Sequence, residues 1–217
     1  MKKHLLLLFI FPALVTFSQT NSGSSTTYDD FTRFDIGYEG NGGMAHNGWQ
    51  TNAVAIEFEK SFKTSPFSRN YRASFGLSQK GNFYMHMPVG PIAGLLAAIV
   101  VAKSSSSNSC GGIGLSALLF ILPDGFGFTP LQTDKMHVGI YANFLGVDYC
   151  NDPYTNPKTG VTTNGTFDYA PDIGVRTNMY FGKKFFAFVR LSGKYSTRFA
   201  GWGAQGTAGV GWDFDKN

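Results

Sequence analysis

The sequence carries little charge and almost no cysteine for its length. Only 15% of the 217 residues are charged, well below the quarter that is typical of soluble domains, and 27 residues are glycine. Two cysteines are too few for a disulfide-rich scaffold or for a Cys₄ zinc site. The formal charge of +4 falls to +2 without Lys2 and Lys3, which excludes the basic surface of a nucleic-acid-binding protein.

The motifs of common enzymes and metal sites are absent as well. The chain has no G-x-S-x-G sequence and no phosphate-binding P-loop. His46, His86 and His137 are far apart, and we expect them to be polar strand or loop residues rather than metal ligands. The loop carboxylates Asp148 and Asp152 could in principle bind Ca²⁺, but two carboxylates are weak evidence for a calcium site. We therefore expect no catalytic residue, no cofactor and no metal. A serine facing His137 from a neighbouring strand stays open as a lipid-modifying site, because the sequence does not show strand pairing.

The N-terminal segment has the pattern of a secretory signal peptide. Lys2 and Lys3 precede an apolar stretch from Leu5 to Phe17, which is too short to span a bilayer as a helix. We expect residues 1–18 to be removed, and the ending resembles signal peptides of Bacteroidota. Residues 19–30 are rich in serine and threonine and are expected to form a flexible leader.

From residue 31 onward, apolar and polar residues alternate with a period of two, which predicts β-strands. We expect each strand to extend over about ten residues, somewhat beyond its alternating segment, which is the length that crosses a bilayer with tilt. The eight predicted segments are 33–39, 53–59, 70–77, 126–128, 136–143, 172–181, 185–194 and 207–214.

The polar face of these strands distinguishes two architectures. A soluble barrel or sandwich places charges outside, whereas a small membrane barrel places them in its lumen. Here the polar face is rich in glycine, serine and asparagine and has nearly balanced charge, which favours a membrane barrel with a lumen ion-pair network. The expected members of that network are Arg33, Asp35, Glu57, Glu59, Arg72, Asp172, Arg176 and Arg190.

The predicted connections alternate in length, as in outer-membrane proteins. Connections at one end are short, whereas Gly40–Gln50, Lys80–Gly125 and Cys150–Gly165 are longer. In this strand pattern, and in the apolar last strand Gly206–Phe214, about residues 31–214 resemble small eight-stranded barrels of the OmpA/OmpX type. The family's terminal strand ends in an aromatic residue, whereas here residues 215–217 follow Phe214. The resemblance implies an all-β, antiparallel, eight-stranded transmembrane β-barrel in the outer membrane of a Gram-negative bacterium.

An apolar insert, residues 88–123, interrupts the strand pattern. Its runs Pro91–Ala102 and Ile113–Leu122 favour helix and flank a serine-rich turn, so we expect a short helical hairpin in one long loop. We expect the hairpin to lie in the membrane interface, at the barrel mouth, on a partner, or within the protein's own extracellular cap. The expected contact residues are Leu95, Leu96, Ile99, Leu118, Leu119 and Phe120.

The two cysteines are expected to form a disulfide. Export takes the chain into an oxidising compartment, and Cys110 and Cys150 both fall in outward connections of the predicted topology. Buried free thiols and a bond to another protein are the alternatives.

Function is predicted only as a class. An eight-stranded barrel is about filled by its own side chains, which leaves a structural or partner-docking role through the extracellular loops and the insert. The expected partners are outer-membrane lipid and another outer-membrane protein complex, and no nucleic acid. The alternatives are a barrel-embedded lipid-modifying enzyme, a narrow channel and a soluble secreted β-protein.

Overall fold

The computed structural model describes residues 28–42, 50–103, 119, 121–155, 159–197 and 201–216. The expected signal peptide, and the expected leader as far as Thr27, lie outside the described residues.

The described residues form thirteen strands and one helix. Helix α1, Val89–Lys103, lies between β4 and β5. The strands are β1 (Thr32–Gly42), β2 (Thr51–Ser61), β3 (Phe67–Ser78), β4 (Phe83–Pro88), β5 (Gly125–Gln132), β6 (Met136–Asn143), β7 (Gly146–Cys150), β8 (Tyr154–Thr155), β9 (Thr162–Thr163), β10 (Thr166–Tyr169), β11 (Asp172–Tyr180), β12 (Phe185–Ser196) and β13 (Gly201–Asp213).

Eight of these strands close on themselves as a barrel. Their spatial order is β3-β2-β1-β13-β12-β11-β6-β5, and β5 pairs back onto β3 from Phe67↔Phe128 to Asn70↔Gly125. Neighbouring strands are antiparallel throughout. Closure removes the sheet edge and satisfies the backbone between strands, as a membrane requires. The predicted fold class is confirmed.

The polarity of the barrel is inverted relative to a soluble protein. Along β2, buried and exposed residues alternate strictly, and Glu57 and Glu59 are on the buried face. Phe34, Ile36 and Phe58 point outward and are exposed. A polar lumen inside an apolar outer belt is the arrangement of a transmembrane β-barrel. β12 departs from this rule at Phe186 and Phe188, which are apolar but buried on the lumen side.

One wall position of the barrel is made of two short strands. β4 pairs with Ser74–Leu77 of β3, and β5 pairs with Phe67–Asn70 of the same strand. Helix α1 and the return segment, of which residues 119 and 121–124 are described, lie between β4 and β5 in sequence. The insert, which in the structure occupies residues 89–124, therefore leaves through the wall. The adjacent wall positions are also interrupted, at 144–145 between β6 and β7 and at 170–171 between β10 and β11.

This arrangement corrects one sequence prediction. Lys80–Gly125 is not a single outward connection, because Phe83–Pro88 is a strand and residues 79–82 make the turn to it. Gly81 adopts a left-handed φ of 79° in that turn, a conformation that glycine tolerates without strain. The alternation in β4 is weak because the strand has only six residues and one of its two buried side chains is the aromatic Tyr84, which offers little contrast with the outward Phe83.

Candidate functional site

The lumen is filled by an ion-pair network centred on two arginines. Arg176 donates to Asp35 Oδ2 at 2.7 Å and to Glu57 Oε1 at 2.9 Å. Arg190 donates to the other oxygen of Glu57 at 3.1 Å and to Asp172 at 2.5 Å. All five side chains are buried. Each charge is compensated within hydrogen-bond distance, which is the condition under which buried charges are tolerated.

A second group surrounds Arg33 near the end of the barrel where β1 begins and β13 ends. Arg33 lies 3.4 Å from both Glu59 and Asp213, and its Nε donates to the Tyr180 hydroxyl at 3.0 Å. Its guanidinium carbon lies 3.6 Å from the ring centroid of Phe31. Charge pairing and cation–π contact together hold this arginine inside the barrel.

Arg72 joins the network through an acid on β1. It donates to Glu39 at 2.5 Å and to the Thr207 hydroxyl at 2.8 Å. Its cross-strand neighbour is Glu57, but Glu57 is bonded to Arg176 and Arg190. The structure thus brings all eight sequence-predicted lumen residues into buried ion pairs, and it adds Glu39 and Asp213 to them.

A separate buried cluster lies where the insert leaves the wall. His86 Nδ1 lies 2.7 Å from Asp148 Oδ1, and its Nε2 lies 3.5 Å from Asp124 Oδ2. Lys194 donates to the other oxygen of Asp148 at 2.6 Å and to the Tyr84 hydroxyl at 3.0 Å. These residues come from β4, β7, β12 and the end of the insert, so the cluster ties the interrupted wall to the continuous one.

Sequence reasoning did not group these residues. The sequence pattern predicts that His86 is an isolated polar residue and that Asp148 is one of two weak calcium-ligand candidates. The sequence signal that could have grouped them is an inward-facing charge on a short strand, since Asp148 alternates with the outward Val147 and Tyr149 in β7. That signal becomes readable only when β4 and β7 are recognised as strands.

The cluster does not assemble an activated serine. Ser74 lies opposite His86 in the β3–β4 register, but its buried hydroxyl has no hydrogen-bond partner. Both ring nitrogens of His86 face carboxylates instead. His137, the candidate from the sequence, contacts the guanidinium of Arg33. A serine nucleophile needs a direct bond to its base, and neither histidine of the described chain provides one.

No metal site is found in the described ranges. They contain no group of three or more histidine, cysteine, aspartate or glutamate side chains placed to hold an ion. The two aspartates considered for calcium bind elsewhere: Asp152 accepts from Ser78 and Asn82, and Asp148 accepts from Lys194.

The base of the insert is fastened to the wall on both sides. The Val89 N–H donates to the Leu145 carbonyl at 2.8 Å, which satisfies a donor at the first turn of α1. On the return side, the Asp124 N–H donates to the Asn70 carbonyl, and the Asp124 carbonyl accepts from the N–H groups of residues 144 and 145. The Tyr71 hydroxyl donates to the Ile121 carbonyl at 2.5 Å. Backbone groups freed by the interruption are therefore bonded again by the insert itself.

The predicted contact residues lie on this insert. Leu95, Leu96 and Ile99 are exposed on α1, and Leu119 is half-buried in the return segment. Leu118 and Phe120 lie outside the described residues. Within the described part of the chain, no helix has both the length and the hydropathy needed to cross a membrane.

The predicted disulfide concerns the same region. Cys150 is the buried last residue of β7, paired in register with Tyr84 on one side and Thr166 on the other. Cys110 lies outside the described residues. The Cys110–Cys150 bond stays a prediction.

Comparison with known proteins finds similarity only among solved structures. No protein-family model matches the sequence, and no curated protein is similar to it at a significant level. The N-terminal β-barrel domain of Pseudomonas aeruginosa OprF is 13% identical, with a TM-score of 0.41 over 86% of this chain and 100% of that one. A de novo designed transmembrane β-barrel is 8% identical, with a TM-score of 0.39 over 87% of this chain and 99% of that one. The barrel assignment rests on this chain's own strand pairing and burial.

Proposed function

We propose that this protein is an outer-membrane β-barrel with a structural or partner-docking role. The observation that carries the proposal is the packed lumen, in which Arg33, Arg72, Arg176 and Arg190 are all fully buried and ion-paired. A barrel filled in this way has no wide aqueous path through it. The surfaces available for contact are the insert and the loops at the barrel end opposite the one where β1 begins.

The outer membrane is the compartment that suits this architecture. A chain can span a bilayer only as helices or as a closed barrel, because hydrocarbon does not hydrogen-bond to exposed backbone. The polar lumen and the exposed apolar belt fit the closed barrel, and export by the predicted signal peptide would deliver the chain to a bacterial outer membrane.

The insert is the feature most suited to docking. It extends an apolar helix beyond the barrel wall, and large exposed apolar surfaces mark lipid or protein contact sites. Its base is held by backbone hydrogen bonds and by the Asp124–His86 contact, so the helix is presented from a fixed position.

Affinity purification in mild detergent tests the docking role. We expect a tagged wild-type barrel to retain a stoichiometric membrane-protein partner, and Leu95→Ser combined with Ile99→Ser to lose it. The control is Phe75→Ser combined with Leu77→Ser, which changes exposed apolar residues of the barrel belt and should retain the partner. Absence of any stoichiometric partner from the wild type would contradict docking.

Two further measurements separate the alternatives. Reconstitution in planar bilayers should give no stable conductance, whereas a narrow channel would give single-channel steps. The lipid profile of a deletion strain should match that of its parent, whereas loss of one modified lipid species would indicate an enzyme.

A further inference from the structure

The insert leaves the barrel in the middle of the apolar belt. Between the stretch of β3 that pairs with β5 and the stretch that pairs with β4 lie Tyr71, Arg72 and Ala73, and this is the height of the exit. In the strand register, Ala73 lies beside Ile56 of β2, which lies beside Ile36 of β1. Both isoleucines are exposed members of the belt.

Aromatic and aliphatic belt residues bracket the exit along β3. Phe67 is 52% exposed and lies toward the barrel end where β1 begins. Phe75 and Leu77 are 46% and 53% exposed and lie toward the opposite end. Strands cross the hydrocarbon with about ten residues. Since outward-facing apolar residues of β3 lie on both sides of the exit along the strand, the exit lies within the part of the barrel that the hydrocarbon surrounds.

The helix that emerges there has no polar face. From Val89 to Ala102 the sequence contains no polar or charged side chain. Leu95, Leu96, Ile99 and Val100 are exposed, at 56%, 58%, 44% and 67%. A helix that is apolar on every side is surrounded by apolar material in its native setting.

This uniform apolarity distinguishes the possible surroundings. A helix in the membrane interface has a charged or polar face toward water, and α1 has none. A helix in an extracellular cap would also present one side to water. The hydrocarbon core accepts all faces of this helix without exposing apolar surface to water, and it is the environment present at the height of the exit.

We infer that α1 lies inside the hydrocarbon core of the bilayer, with lipid acyl chains as its contact partner. The exposed surface of α1 is then continuous with the lipid-facing belt from which it emerges. The inference rests on the proposed function in one respect, that the barrel itself spans a membrane. Of the locations expected from the sequence, it excludes the extracellular cap, the membrane interface and the barrel mouth.

Depth-dependent quenching of tryptophan fluorescence by brominated phosphatidylcholine tests this location. Leu96→Trp is reconstituted into vesicles of lipid brominated at mid-chain, and the signal of the native tryptophans is subtracted with the wild-type protein. Ile56→Trp reports the belt at the height of the exit, and Lys63→Trp reports an exposed turn at the barrel end.

We expect Leu96→Trp to be quenched as strongly as Ile56→Trp and several-fold more than Lys63→Trp. Quenching of Leu96→Trp at the level of Lys63→Trp, with Ile56→Trp strongly quenched, would overturn the inference and leave the membrane barrel intact. Weak quenching of Ile56→Trp as well would instead overturn the proposed membrane-spanning barrel. The vesicles contain no other protein, so quenching of Leu96→Trp reports contact of α1 with lipid acyl chains directly.

Discussion

The two halves of the barrel wall are built differently from the same pattern. β1, β2, β3, β12 and β13 are continuous strands of 11 to 13 residues, whereas the rest of the wall consists of strands of 4 to 9 residues separated by breaks. Both halves keep polar residues inward and apolar residues outward. The comparison shows that the barrel closes where backbone groups are hydrogen-bonded and each strand keeps its polar side chains inward. Uninterrupted strands are not required.

The halves also differ in how their buried charges are arranged. Arginine–carboxylate pairs that each include a residue of a long strand fill the middle of the lumen and its end at Arg33. At the interrupted half, His86 and Lys194 share Asp148, and Asp124 belongs to the base of the insert. We therefore expect changes in the central network to destabilise the whole barrel, and changes at the interrupted half to affect mainly the insert.

Arg176→Leu is expected to have the largest effect. It removes the partner of Asp35 and one partner of Glu57, both buried. Leaving a buried charge uncompensated costs about 3–5 kcal/mol, less where water enters. The temperature at which the barrel unfolds in detergent, read from a heat-modifiability gel, should fall clearly. Arg69→Leu, at an outward-facing position of β3 outside the lumen network, is the control and should unfold near wild type. An unchanged midpoint for Arg176→Leu would mean that the polar face is not a packed lumen.

The predicted disulfide is next in magnitude. A bond between Cys110 and Cys150 would tie the insert to β7 and stabilise by about 2–4 kcal/mol. Cys110→Ser and the double substitution with Cys150→Ser should then lower the unfolding midpoint equally, because either one abolishes the bond. Mass spectrometry of non-reduced peptides measures the bond directly, and alkylation of both cysteines without prior reduction would exclude it.

Gly90→Val tests how closely α1 approaches the return segment. A Cβ atom at Gly90 would lie 2.3 Å from the Leu122 carbonyl oxygen, so the two ends of the insert must separate. Overpacking of this kind costs about 1–3 kcal/mol. We expect faster proteolysis within the insert and a smaller change in barrel unfolding. At Gly40 an added Cβ meets nothing within 4 Å, so Gly40→Val is the matched control. Equal proteolysis of the two variants would contradict the close approach.

Tyr71→Phe should have the smallest effect. It removes the hydrogen bond to the Ile121 carbonyl and leaves the ring in place. The net loss is about 0.5–1.5 kcal/mol. Hydrogen exchange of residues 121–124 should accelerate while exchange in β1 and β2 stays as in wild type. Tyr169→Phe, on the outer face of β10, controls for loss of a tyrosine hydroxyl from the belt. Equal acceleration across the whole barrel would mean that the two halves are one cooperative unit.

Prediction from the sequence succeeded where strands were long and their faces chemically distinct. In β1, Phe34 and Ile36 alternate with Arg33 and Asp35, and in β2 Glu57 and Glu59 alternate with apolar residues. It failed at β4, because six residues with tyrosine, histidine and methionine show little contrast between faces. The exit of the insert was placed in a loop for the same reason.

The amino-acid sequence by itself determined the number of barrel strands, the side that faces inward, and the apolar character of the insert, because alternation and composition are local properties. The tertiary structure decided which charges pair and where the insert leaves the wall. Arg72 lies beside Glu57 in register yet bonds to Glu39, since Glu57 already receives two arginines from across the lumen. Such choices depend on distances across the closed barrel, which residue spacing along one strand does not specify.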